Sequence, residues 1–172
     1  MATVRSEIPE DFPEIRRVNE LAFGTPAEAD LVDKLRAGGR ALLSLVAVES
    51  NRVVGHILLS PVTIGSGEPV DGPFSPVGLG PMAVLPEHQR RGIGSSLIAA
   101  ALGFCRKSGH ECVVVLGHAE YYPRFGFVPA SRFGLQCVYD VPDEVFMAIE
   151  LRDGALSGHK GIVRYQPEFD EV

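Results

Sequence analysis

The chain has 172 residues, of which 45% are hydrophobic and 22% are charged, a length and composition that suit one domain with a sizeable core. Its formal net charge of −6 argues against nucleic acid as the main partner, because duplex binding requires clustered cations that displace counterions. No apolar run approaches the roughly 20 residues that a bilayer requires, and the N-terminal stretch lacks the apolar segment of a signal peptide. We therefore predict a single domain over residues 1–172 that does not associate with a membrane.

Two amphipathic helices are predicted near the start of the chain. Apolar residues recur at helical spacing over residues 10–23 and again over residues 26–39. Two β-rich runs follow, residues 41–50 and 51–64, with His56 in mid-strand interpreted as a structural residue. The Gly- and Pro-rich segment 65–78 is interpreted as a long hairpin connection, because the strands on either side are too few to bury a core separately.

The second half of the chain alternates strands and helices. A strand is predicted over residues 77–85, a helix over 93–109 with Phe104 on its buried face, and a fully buried strand over 111–117. A short helix closed by Gly126 is predicted over residues 119–127. Two antiparallel strands, over 135–141 and 144–151, and a polar tail after Gly158 complete the order. This order predicts an α/β (α+β) fold with a mixed, largely antiparallel central sheet flanked by helices.

The three cysteines are isolated from one another. Cys105, Cys112 and Cys137 are odd in number and show no C-x-x-C spacing. Cysteines of this kind are usually small buried hydrophobic residues in a reducing compartment. The pattern predicts a cytoplasmic protein without a metal site.

The stretch "PEHQRRGIGSS" lies between the predicted strand 77–85 and the helix that follows it. A helix N-terminus leaves backbone N–H groups without intrahelical partners, and glycines at Gly92 and Gly94 remove the Cβ atoms that would obstruct an anion. Arg90 and Arg91 could add charge-assisted hydrogen bonds. A plain strand-to-helix turn is the alternative, because Gly-x-Gly alone is a weak motif.

Two familiar phosphate-binding motifs do not fit this stretch. No Gly-Lys-Ser/Thr occurs anywhere, which excludes the ATP-type loop, and the sixth position of a dinucleotide fingerprint starting at Gly92 is Leu97 instead of Gly. Residues 89–94 do match Q-x-x-G-x-G, and "YYPRFGF" downstream contains Y-x-x-x-G-F from Tyr122. With "VVGHILLSP" and the order of elements, the chain resembles the GNAT superfamily of N-acetyltransferases over residues 2–152. It is most similar to the YhbS-like branch.

This resemblance implies a fold with a splayed cofactor strand and acetyl-CoA, or coenzyme A, as the acyl-donor cosubstrate. Backbone groups of Met82, Ala83 and Val84 would bind the pantetheine arm, and the Val84 N–H would bond the thioester carbonyl. The pyrophosphate would lie on a loop and helix start formed by Gln89, Arg90, Arg91, Gly92, Ile93, Gly94 and Ser95.

The resemblance also implies that Tyr122 is catalytic. A phenol can protonate the departing coenzyme A thiolate, whereas the alternative is an aromatic ring that only packs under the sheet. Tyr121 is adjacent, and the family spacing selects Tyr122. The general base stays open between His118, Glu120 and a water chain, because "GHAE" stands here where YhbS-like sequences often carry Asp-Pro.

The implied function is transfer of an acetyl group from acetyl-CoA to a primary amine by direct attack in a ternary complex. The alternative is a non-catalytic, acyl-CoA-binding regulatory module, which would share the loop but not need Tyr122. The acceptor would be a small-molecule or peptide amine. The oligomeric state is left open, with a homodimer as the candidate assembly.

Overall fold

The computed structural model describes residues 1–65 and 74–172, so eight residues of the predicted hairpin connection lie outside it. The described part of the chain contains three α-helices: α1 (Phe12–Phe23), α2 (Ala27–Ala37) and α3 (Ile93–Lys107). It contains ten strands: β1 (Thr3–Ser6), β2 (Leu43–Glu49), β3 (Arg52–Pro61), β4 (Thr63–Ile64), β5 (Val77–Val84), β6 (Cys112–Leu116), β7 (Val128–Pro129), β8 (Leu135–Cys137), β9 (Phe146–Glu150) and β10 (Gly161–Arg164).

The chain divides into two compact units. The first unit comprises residues 1–60, 80–101 and 167–172, and the second comprises 61–79 and 102–166. Strand β5 and helix α3 are each divided between the two units, β5 after Leu79 and α3 after Ala101.

The first unit has strand order β1-β2-β3-β5, in which β1 pairs antiparallel with β2 and β2 with β3. Strands β2 and β3 form a hairpin whose two turn residues, Ser50 and Asn51, have φ values of 51° and 61°. Positive φ at both central residues is typical of the tight turns that match strand twist. Strand β1 was not predicted, because its four residues are mostly exposed and carry no apolar alternation.

Helices α1 and α2 have the predicted bounds to within a few residues. Each buries one apolar stripe, made by Ile15 and Val18 in α1 and by Leu31, Val32 and Leu35 in α2. The buried positions recur every three or four residues, as helical periodicity requires. Local sequence pattern therefore sufficed for these two elements.

The second unit has strand order β5-β6-β9-β7 and a separate three-stranded sheet, β4-β10-β8. Strand β6 pairs parallel with the first half of β5 and antiparallel with β9. Its buried residues form one apolar cluster with those of the smaller sheet, which includes Cys112, Val114, Leu135, Phe146 and Val163. The mixed, largely antiparallel layout is as predicted.

Two predictions for the C-terminal part are wrong. Of the two strands predicted to be antiparallel, β9 does pair antiparallel with β6 and β7, but β8 pairs in parallel with β10. The supposed polar tail after Gly158 contains β10, whose Val163 is fully buried. Both errors have one cause, because pairing between strands about 25 residues apart leaves no local signal.

Helix α3 buries Ile93, Leu97 and Ala101, but Phe104 does not lie on its buried face as predicted. Phe104 is 39% exposed, whereas Ile98, Leu102 and Cys105 are buried with Leu97. Phe104 precedes Cys105 by one residue and is therefore about 100° away around the helix.

Neither a membrane-spanning helix nor a metal site is found in the described residues. None of their helices has both the length and the apolar character to cross a bilayer. Across residues 1–65 and 74–172, no three His, Cys, Asp or Glu side chains are grouped so that they could hold a metal ion.

Candidate functional site

The second half of β5 belongs to the first unit and alternates in burial. Pro81, which follows Gly80 through a cis peptide bond, and Ala83 are buried. Met82 and Val84 are only partly buried and lie on the opposite face. The paired register between β5 and β6 runs from Val77 to Leu79, before this half begins.

The loop after β5 is tied down at its base. The Leu85 N–H donates to the Val54 carbonyl at 2.9 Å, which fixes the end of β5 to β3. Pro86–His88 then form a short 3-10 turn, and the Gln89 side chain amide reaches back to donate to the Val84 carbonyl at 3.0 Å. The predicted cofactor residue Gln89 therefore also braces the loop in this structure.

Helix α3 begins at a turn with two left-handed residues. Arg90 has φ 64° and Gly92 has φ 82°, conformations that non-glycine residues seldom adopt. The first hydrogen bond of α3 runs from the Ser96 N–H to the Gly92 carbonyl at 3.0 Å. The residues just before Ser96 therefore form the first helical turn, whose N–H groups lie at the helix N-terminus. A Cβ built on Gly92 would meet nothing within 4 Å. Open space therefore adjoins the helix N-terminus.

The predicted loop residues are brought together around this helix start. Arg90 and Arg91 are exposed, Gly94 and Ser95 are partly buried in the first turn of α3, and Ile93 is buried beneath it. The helix dipole adds partial positive charge to that of the two guanidinium groups. The arrangement suits a multivalent anion.

Tyr122 lies in the second unit, at the start of the 3-10 helix Tyr122–Phe125. The residue is 6% exposed, and its ring meets Tyr121 and Phe127 edge-on with centroid distances of 5.3 and 5.7 Å. Burial, with a smaller contribution from Tyr121, raises the pKa of Tyr122 to about 12. The phenol therefore keeps its proton at neutral pH and is a weaker acid than an exposed tyrosine.

Gly117 makes room for that ring. It directly follows β6, and a Cβ on it would overlap ring atoms of Tyr122. Gly117 was not among the predicted site residues, although a glycine directly after a buried strand is a usable signal of close approach.

The two candidate general bases lie in the turn between β6 and Tyr122. His118 and Glu120 are both exposed. The His118 carbonyl accepts the N–H groups of Tyr121 and Tyr122 at 3.1 and 3.4 Å, so the backbone of His118 forms the turn that carries Tyr122.

Comparison with known proteins gives one consistent family. A model of the acetyltransferase (GNAT) domain matches residues 40–129, just over half of the chain. The uncharacterised N-acetyltransferase YhbS of Escherichia coli K12 is 34% identical over 97% of this chain and 98% of its own. The uncharacterised N-acetyltransferase YjhQ of the same strain is 40% identical over 87% of this chain and 85% of its own.

Solved structures agree with the sequence relatives. The crystal structure of Escherichia coli YhbS in complex with CoA superimposes with a TM-score of 0.91 at 35% identity, over 98% of this chain and 92% of that one. A GNAT family acetyltransferase from Brucella melitensis in complex with acetyl-CoA gives 0.81 at 36% identity, over 99% of both chains. The predicted fold is thereby confirmed, and the chain belongs to the GNAT family of N-acetyltransferases.

Proposed function

We propose that the chain transfers an acetyl group from acetyl-CoA to a primary amine by direct attack within a ternary complex. The observation that carries the proposal is the start of α3, where the exposed, left-handed Gly92 has open space at its Cβ position and directly precedes the first helical turn in the sequence. Such a terminus stabilises phosphate groups through its free donors and its dipole. Arg90 and Arg91 flank the same space in the sequence and are exposed.

In this proposal the loop binds the pyrophosphate of coenzyme A. Donors come from the backbone around Gly92, and the guanidinium groups of Arg90 and Arg91 add charge. The roles proposed for the other predicted cofactor residues are to shape this cradle or to bind the pantetheine arm. The first group comprises Gln89, Ile93, Gly94 and Ser95, and the second comprises Met82, Ala83 and Val84. The CoA and acetyl-CoA complexes of the two structural relatives support this assignment.

Tyr122 is proposed as the general acid. The amine nitrogen attacks the thioester carbonyl carbon, and collapse of the tetrahedral intermediate breaks the carbon–sulfur bond. Tyr122 then gives its proton to the departing thiolate sulfur. Its phenol is protonated at neutral pH, as an ordinary tyrosine is, and burial, which raises its pKa to about 12, makes it a weaker acid than a free phenol. The proton lost by the amine passes to a base, with His118, Glu120 or a water chain as the candidates. The Val84 N–H would stabilise the oxyanion.

The proposal extends to the acceptor and the compartment. The acceptor class is a small-molecule or peptide amine, with a homodimer as the assembly to be checked by light scattering. The three cysteines are free thiols, and Cys105 and Cys112 are buried, which supports a reducing cytoplasm.

Ligand-dependent unfolding tests the proposal directly. Acetyl-CoA should raise the melting temperature of the chain, whereas ATP and NAD at the same concentration should not, since a ligand that binds only the folded state stabilises it by mass action. Release of free thiol with a panel of amines and peptides then separates an enzyme from the alternative, a non-catalytic acyl-CoA-binding module. No stabilisation by millimolar acetyl-CoA would refute both.

A further inference from the structure

His88 differs from its neighbours in the loop before α3. All the residues from Pro86 to Gly92 are exposed except His88, whose side chain is only 20% exposed. The imidazole therefore points inward from an otherwise solvent-facing loop. An inward side chain in such a loop commonly fixes the loop to the structure beneath it.

The contact that His88 makes is with Glu49. Its Nε2 lies 3.2 Å from the Glu49 Oε2, and the Glu49 side chain is itself only 24% exposed. Glu49 is the last residue of β2, directly before the tight turn into β3. A polar contact between two such partly buried groups is less screened than one at the open surface.

The His88–Glu49 contact connects the loop to the end of β2, which the loop's hydrogen bonds from Gln89 and the His88 N–H do not reach. The Gln89 side chain and the His88 N–H return to Val84 and Leu85, so both close the loop on itself and on β5. Only two residues beyond His88, Arg90 adopts φ 64°. A left-handed backbone at a non-glycine residue persists only where its surroundings enforce it.

We propose that His88 is a positioning residue for coenzyme A, which acts through Glu49 to hold the loop in its anion-binding shape. The inference rests on the proposed function. The pair does not touch the ligand; it fixes the hairpin end of β2 to the loop, so that the backbone donors near Gly92 are already oriented when the pyrophosphate arrives. Preorganisation of this kind improves affinity by lowering the ordering cost of binding.

The test is a double-mutant cycle on the Kd of CoA, measured by titration calorimetry. We expect His88→Leu and Glu49→Ala each to weaken CoA binding about fivefold, the size of a partly buried polar contact. The double variant should bind about as weakly as either single variant, because one shared contact is lost. His88→Gln, which keeps a donor near the Nε2 position, should recover part of the affinity.

A matched control comes from the same hairpin. Glu14 pairs with Arg52, the first residue of β3, and also accepts the Val53 N–H. Glu14→Ala removes an ion pair from the hairpin without touching the loop, so it should lower the melting temperature and leave the Kd of CoA unchanged. A purely structural role for His88 would give that same pattern in His88→Leu.

The outcomes separate this inference from the proposed function. Tight CoA binding by the unaltered chain, with an unchanged Kd in His88→Leu, would overturn the positioning role alone. Effects of the two single changes that multiply in the double variant would do the same. Failure of the unaltered chain to bind CoA would overturn the proposed function and the positioning role together.

Discussion

The two units bury their key titratable side chains in opposite surroundings. In the first unit, His56 is fully buried among polar groups: its Nδ1 lies 3.3 Å from the Asn19 amide nitrogen and its Nε2 lies 2.8 Å from the Ser44 hydroxyl. In the second unit, Tyr122 is buried against the rings of Tyr121 and Phe127. One site surrounds a base with hydrogen-bond partners, and the other surrounds an acid with aromatic carbon.

The polar site has a defined direction of hydrogen bonding. The Asn19 amide nitrogen also donates to the Ile15 carbonyl, which fixes the orientation of the amide and makes the His56 Nδ1 an acceptor. The His56 Nε2 therefore carries the proton and donates to the Ser44 oxygen. The Ser44 hydroxyl donates to Glu7, whose carboxylate accepts two hydrogen bonds from Arg36 at 2.9 Å.

Burial has the same effect on charge at both sites. It lowers the pKa of His56 to about 4, against the raising influence of Glu7 and with a further lowering by Arg36, and it raises the pKa of Tyr122 to about 12. Desolvation disfavours the charged form whether that form is a cation or an anion. Both side chains are therefore neutral at neutral pH, yet only Tyr122 is proposed to give up its proton in the reaction.

Tyr122→Phe is expected to have the largest effect. It tests whether Tyr122, unlike His56, gives up its proton in the reaction. The variant loses the hydroxyl and keeps the ring packed between Tyr121 and Phe127. We expect turnover with an acceptor amine to fall about 100-fold, within the usual range for general acid catalysis, while the Kd of CoA changes by less than about twofold. Thiol release and titration calorimetry measure the two quantities. Tyr121→Phe is the control, and an equal loss in both variants would contradict the role of Tyr122.

Acidification should destabilise the protein through His56. Because its folded pKa is below its unfolded value, the unfolded chain binds more protons between about pH 4 and 6.5, and stability falls as the pH drops through that window. From pH 7 to pH 5 this one group should cost about 2 kcal/mol of unfolding free energy. Urea unfolding at the two pH values measures the loss. The His56→Gln variant should lose less unfolding free energy between pH 7 and pH 5 than the unaltered chain, and His110→Gln is the control. Equal losses in the unaltered chain and both variants would contradict the assignment to His56.

Gly92→Ala probes a third region, the turn into α3, which is proposed to bind the pyrophosphate through its backbone instead of a buried side chain. Gly109, after the C-terminal end of α3, is a matched control, because both glycines have φ 82° and neither Cβ would meet an atom within 4 Å. Each alanine should cost about 1 kcal/mol of stability from backbone strain. Only Gly92→Ala should weaken CoA binding, by about tenfold, since its Cβ enters the proposed pyrophosphate space. Equal Kd values for the two variants would argue against that site.

Local patterns predicted most of the elements and the loop, and contacts between distant residues were out of their reach. Helices α1 and α2 follow from helical periodicity and strand β6 from a continuous apolar run, and the motif starting at Gln89 identified the turn into α3. The chain from Glu7 through Ser44 to His56 joins three separate segments by side chains, and sequence spacing does not encode such bonds. The parallel pairing of β8 with β10 was missed for the same reason. Gly117 beneath Tyr122 shows an intermediate case, visible in the sequence only once the ring is placed.

The buried imidazole of the first unit also offers a spectroscopic handle. Its Nε2–H proton donates to the Ser44 oxygen while the residue itself has no solvent exposure. A proton held in this way exchanges with water only when the surrounding structure opens. The exchange rate of its downfield NMR resonance would therefore report local opening of the first unit without an engineered probe.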